Sequence, residues 1–129
     1  MGLIINPAQQ LSALHIANTL RGKFHPRALA GFTIIAPEDC LNQDVCILNA
    51  PDNVGTLTNP KTDFEMPPFL LQEAIAVKPK ISGIPFSISG DGGKIVVRKS
   101  DGAAVGIVVG GMNDVSALCP AKFFQALVL

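Results

Sequence analysis

The chain has no tryptophan and no tyrosine in its 129 residues. These are the side chains that most often anchor interfaces and stack on bases. Their absence argues against a base-stacking reader of single strands. Charge is scarce as well. Charged residues make up 16%, against roughly a quarter in ordinary soluble domains. Ten basic and ten acidic side chains cancel, and no run of like charge occurs. A nucleic-acid footprint needs a basic patch. The nearest grouping is Arg21, Lys23, His25 and Arg27, which reads as a solvated helix end and loop, where cations are favoured. The expectation is therefore no nucleic-acid partner.

Other absences narrow the field further. No apolar run reaches the ~20 residues of a spanning helix, so no membrane span is expected. The apolar start is short and lacks the basic region of a secretory leader. The three cysteines, Cys40, Cys46 and Cys119, are an odd count, which favours a reducing, cytoplasmic setting over a disulfide framework. Cys40, Cys46, His15 and His25 match no zinc spacing, so no metal is expected. A strand rather than a helix should follow 90–94, so these glycines are not a phosphate-binding loop. No cofactor is expected.

What the chain does have is apolar surface, at 48% of residues. In a chain of this length, one domain over 1–129, that surface predicts burial against a partner or a second copy. Asn6, Pro7 and Gln9 form a helix-start pattern. Leu11, Leu14, Ala17 and Leu20 follow at helical spacing, and Gly22 is a stop. The prediction is a helix over Pro7–Arg21. Gly31–Ala36 and Asp44–Asn49 read as strands. Ala50–Met66, with two prolines and several turn formers, reads as a loop. Pro67–Val77 reads as a second helix, apolar around its circumference and hence buried, or else partly strand. Ile84, Phe86 and Ile88 alternate with small residues as a half-buried strand. Lys94–Lys99 and Ala103–Val109 flank Ser100-Asp101-Gly102 as a hairpin, and Pro120 opens a short C-terminal helix through Leu127. The fold class expected is α+β and β-rich: an antiparallel sheet or partial barrel with an N-terminal and a short C-terminal helix.

The segment Ser89–Gly111, SGDGGKIVVRKSDGAAVGIVVGG, resembles the nucleophile turn and following hairpin of chymotrypsin-like peptidases. Gly90-Asp91-Gly92-Gly93 is similar to their Gly-Asp-Ser/Cys-Gly turn, whose backbone N–H groups form the oxyanion hole. Gly106–Gly111 is similar to the strand whose backbone pairs with substrate. The resemblance covers about the last third of the chain. It implies substrate-binding roles for Gly90, Asp91, Gly92, Gly93, Val108 and Gly110. It also implies His15, after Leu11-Ser12-Ala13-Leu14, as a base, and Asp44, opening Asp44-Val45-Cys46-Ile47-Leu48, as its orienting partner. Gly92 stands where the family carries its nucleophile. The implied protein is a degenerate peptidase-type domain that binds peptide by strand addition along Ala103–Gly111.

Plainer readings stand beside these. His15 shares a helix face with Leu11 and Leu14 and packs there. Asp44 caps a turn. The glycines supply positive φ for a tight turn, and Asp91 bonds its own backbone. The alternative function is a non-catalytic α+β protein that forms a homo-oligomer or holds a protein partner through an apolar surface. That alternative predicts a stable oligomer by size-exclusion chromatography with light scattering. A clean monomer at micromolar concentration removes its main support.

Overall fold

The structure, a computed structural model, describes residues 10–13, 25–66 and 69–124. Its strands are β1 (Gln10–Ser12), β2 (Asp44–Ile47), β3 (Ala50–Met66), β4 (Phe69–Pro79), β5 (Ile95–Arg98), β6 (Ala104–Met112) and β7 (Val115–Pro120). They form one sheet in the order β1-β4-β3-β2-β5-β6-β7, with a further pairing of β4 to β7. That pairing closes β2 to β7 into an antiparallel barrel. β1 lies outside the ring, parallel to β4.

Alternation along each strand sorts the apolar residues into two layers. Val45, Ile47, Leu57, Ile75, Val77, Val96, Val105, Val108 and Leu118 form one cluster with Cys40 and Phe86. Every barrel strand contributes to it, so it fills the interior. The alternate residues, among them Cys46, Leu71, Val97, Ile107 and Cys119, form a second cluster outside, covered by Ala13, Leu29 and Phe124. With both faces buried, the strands read as nearly continuous apolar runs rather than alternating ones.

This explains where the sequence misleads. Of Pro67–Val77, the second alternative holds: 69–77 is strand, within β4, and its all-round apolar pattern reflects burial on both faces, while 67–68 lie outside the described residues. Ala50–Met66 is not a loop. It is β3, seventeen residues long, and Pro60 falls in a register shift between the paired Asn59 and Thr62. Proline and polar residues suit a strand that bends at bulges. In β4, Glu73 has φ 60. It marks the point where the β4 edge leaves β1, at 70–72, and meets β7, at 75–77.

The ends differ too. Within the predicted helix Pro7–Arg21, Gln10–Ser12 is strand; 1–9 and 14–24 lie outside the described residues. Pro120 ends β7, and the next residues, Ala121–Phe124, form a single 3-10 turn, with 125–129 outside the described residues. Of Gly31–Ala36, one parallel bridge remains, Ile34 to Ala104. Ile84 to Ile88 is loop: Phe86 is buried, while Ile84 and Ile88 are exposed. Asp44–Ile47 and the β5–β6 hairpin are strands as expected, with Gly102 at φ 77 in the turn. Among the described residues Ala13 is α-helical, the other helical segments are 3-10 turns, and no helix is long and apolar enough to cross a membrane.

Phe86 enters the barrel interior from the loop that joins β4 to β5. Its ring lies against Gly55: a Cβ there would sit 2.6 Å from Phe86 Cδ1 and 2.5 Å from Val77 Cγ1. Gly55→Ala should therefore cost about 1–3 kcal/mol through overpacking, measured as a lower urea midpoint. Unchanged stability would mean that this packing is loose.

Candidate functional site

The loop 80–94 runs from β4 through the buried Phe86 to the glycine turn. Two glycines take the left-handed region, Gly90 at φ 99 and Gly93 at φ 91. Gly92 does not, so its lack of a side chain is not imposed by φ. Asp91, 9% exposed, braces the turn. Its N–H donates to Ile88 O at 3.1 Å, and its Oδ2 accepts from Ile88 N–H at 2.9 Å. Lys94 Nζ lies 2.9 Å from its Oδ1. Burial pushes the Asp91 carboxyl up, but the Lys94 ammonium and the Ile88 N–H outweigh this and hold it below the usual range. Asp91 thus bonds within its own turn, as the plainer reading has it.

The turn is stitched to β6. Gly93 N–H donates to Val108 O at 2.8 Å, and Val108 N–H to Lys94 O at 3.0 Å. Beyond Val108 the β5 side of β6 has no strand partner among the described residues, while its other side pairs with β7 as far as Met112–Val115. Asn113 and Asp114, at φ 53 and 69, close that hairpin as a two-residue turn whose twist suits the flanking strands. Between the free end of β6 and the loop lies a cleft of about 520 Å³. Pro85, Ser87, Ile88, Ser89, Gly90 and Gly92 line one wall, and 108–116 the other. Across it Ser87 Oγ lies 2.5 Å from Ser116 Oγ. Among the described residues nothing accepts from the N–H of Gly90 or Gly92.

The structure thus brings Gly90, Gly92, Val108 and Gly110 to one cleft, with Asp91 and Gly93 forming the turn behind it. It does not bring Asp44 there. Asp44 starts β2, where its Oδ2 meets Lys80 Nζ at 2.6 Å and its carbonyl accepts from Lys99 N–H. That is the far end of β5 from the glycine turn, about 13 Å away along the strand at ~3.3 Å per residue. His15 lies outside the described residues. The cysteines offer no replacement nucleophile. All three are free and buried, and burial pushes each thiol up, Cys119 to about 12, whereas thiolate is the reactive form. Among the described residues no cluster of His, Cys, Asp and Glu is suited to a metal ion.

Ser116, Met112 and the Asn113-Asp114 turn escaped the sequence reading. An Asn-Asp pair between two apolar runs is a signal for such a hairpin. The Ser87–Ser116 contact carries no local signal at all, since the two are 29 residues apart. No protein family, curated protein or solved structure matches the chain.

The folded-state Asp91 carboxyl titrates below its ordinary value of 3.8. Its contribution to stability is therefore present above that value and is lost as pH falls through the folded-state value. Urea unfolding followed from pH 6 downward should show this loss, and Asp91→Asn should flatten that part of the acid limb. An acid limb unchanged by Asp91→Asn would show that the brace adds nothing.

Proposed function

We propose that this chain is a chymotrypsin-like, peptidase-type domain without an intact nucleophile, and that it holds an extended peptide as an added strand along 109–112, beside the cleft. The observation that carries this reading is a contrast between two sheet edges. β3 also has an unpaired side beyond its pairing with β2. There it carries Pro60, Lys61, Asp63 and Glu65, the proline and charges that blunt an edge against strange strands. The free edge of β6 is Val-Gly-Gly-Met, with neither charge nor proline. An unguarded edge next to a cleft is what strand addition uses: the backbone supplies affinity, and the cleft reads one side chain. The antiparallel barrel, and the glycine turn seated beside that edge, support the peptidase-type reading. The three buried, unbridged cysteines support a reducing, cytoplasmic setting.

The second reading, assembly through an apolar surface, is favoured by Ile81, Ile84 and Ile88, which are 56%, 44% and 64% exposed on one loop. The two readings differ in what happens at β6. A hexapeptide pool randomised at every position, passed over the immobilised chain, should enrich a binding sequence. That peptide should slow amide exchange over 109–112 by about tenfold, the effect of closing the edge with ~1.4 kcal/mol, and leave 62–65 of β3 unchanged. No enrichment, or protection confined to the 81–88 loop, would sink the peptide-binding proposal.

A further inference from the structure

Resting on the peptide-binding reading, we infer that the cleft selects an uncharged peptide side chain with a hydrogen-bond acceptor at its tip, and that Ser87 and Ser116 determine this preference. The argument begins with protons. Two serine hydroxyls carry two O–H donors. The bond between Ser87 Oγ and Ser116 Oγ uses one of them, and among the described residues nothing accepts the other. Ser116 is only 4% exposed, and both residues line the cleft. The remaining O–H belongs to a part-buried hydroxyl pair, so an occupant that covers it is favoured where it accepts a hydrogen bond and penalised where it does not.

Charge narrows the class. Among the described residues, Asp114 is the one charged side chain on the lining. A carboxylate finds no cation on the lining to offset the cost of its desolvation. A cation gains little from Asp114, which is exposed and screened by solvent, and although an ammonium can donate to the hydroxyl lone pairs it offers no acceptor to the O–H that remains. An aliphatic side chain fits the volume but leaves that O–H unmet. A side-chain amide satisfies both partners: its carbonyl accepts the spare O–H, and its N–H groups can donate to the hydroxyl lone pairs.

The test uses the full chain and fluorescein-labelled acetyl-Thr-Val-Thr-Xaa-amide peptides, with Xaa as glutamine, glutamate, methionine or lysine. These side chains are close in length and differ in charge and hydrogen bonding. Fluorescence anisotropy should show the glutamine peptide binding about tenfold more tightly than the other three, the usual effect of one hydrogen bond at a shielded group. Either single serine-to-alanine change leaves one free O–H, so the deciding variant is the double replacement, Ser87→Ala with Ser116→Ala, which should remove that advantage and leave the methionine peptide unchanged. Each single variant should keep the glutamine preference, and serves where the double variant fails to fold. Equal binding of the glutamine and methionine peptides overturns the inference alone. So does equal weakening of both by the serine variants, which would assign the pair a structural role. Binding of none of the four overturns it together with the peptide-binding reading.

Discussion

The pairing of 75–77 on β4 with 116–118 on β7 is the constraint on which the rest of the architecture depends. Without it the sheet would be an open, twisted ribbon with β7 on a bare edge. With it, six strands share one interior, and Ile75, Val77 and Leu118 meet Val45, Val96 and Val105 there. Closure also requires the longer strands to bend. The register shifts in β3 and β6, and the left-handed Glu73 in β4, are where they do so. Phe86 completes the interior from outside the ring, and by entering it fixes the loop that carries the glycine turn.

The same closure decides where backbone remains available. Strand β6 is longer than the β5 it pairs with, and β7 accompanies it to the hairpin end. Its last residues are therefore held on one side and bare on the other. β3 overshoots β2 in a similar way. Its overhang carries proline and three charges, whereas the β6 overhang carries none. Both edges belong to one sheet and one chain, so overall composition cannot account for the difference. Position can: the β6 overhang lines a cleft of about 520 Å³, whereas Pro60 and Lys61 of the β3 overhang line a pocket of about 100 Å³ that is itself rimmed by the charges of Glu38, Glu73 and Lys122.

Local signals were legible in the sequence, and long-range ones were not. The β5–β6 hairpin could be read because Ser100-Asp101-Gly102 fixes its turn within a few residues, helped by the Arg98–Asp101 ion pair. β2 could be read from its β-branched run. β4 could be read only as helix or strand without a decision between them, because a strand buried on both faces loses the period of two that identifies it. β3 was hidden by Pro51, Pro60 and its asparagines, residues that normally punctuate loops but here occupy bulges and a guarded edge. Ile84, Phe86 and Ile88 alternate like a strand, yet only the phenylalanine is buried. The glycine turn and the β6 strand beside it were visible as a motif. That Asp44 belongs to another part of the barrel was not, since its place depends on pairing with Thr56 and on the Lys80 ion pair.

A site with this geometry and no side chain at Gly92 poses a chemical question that the energetics of binding can answer. An enzyme gains rate only from contacts that strengthen in the transition state, and uniform binding of substrate adds nothing to turnover. A peptidase therefore cannot use unlimited backbone pairing along its substrate strand, because the product must leave. A domain that forms no covalent bond is free of that limit. Every hydrogen bond to the bare end of β6 and every contact in the cleft then counts fully toward affinity. On the proposed reading, the loss of the nucleophile changes what the same edge is good for. The strand that positions a scissile bond in a peptidase becomes a strand whose whole contribution is retention, and its side-chain selectivity passes to the spare O–H of the Ser87–Ser116 pair.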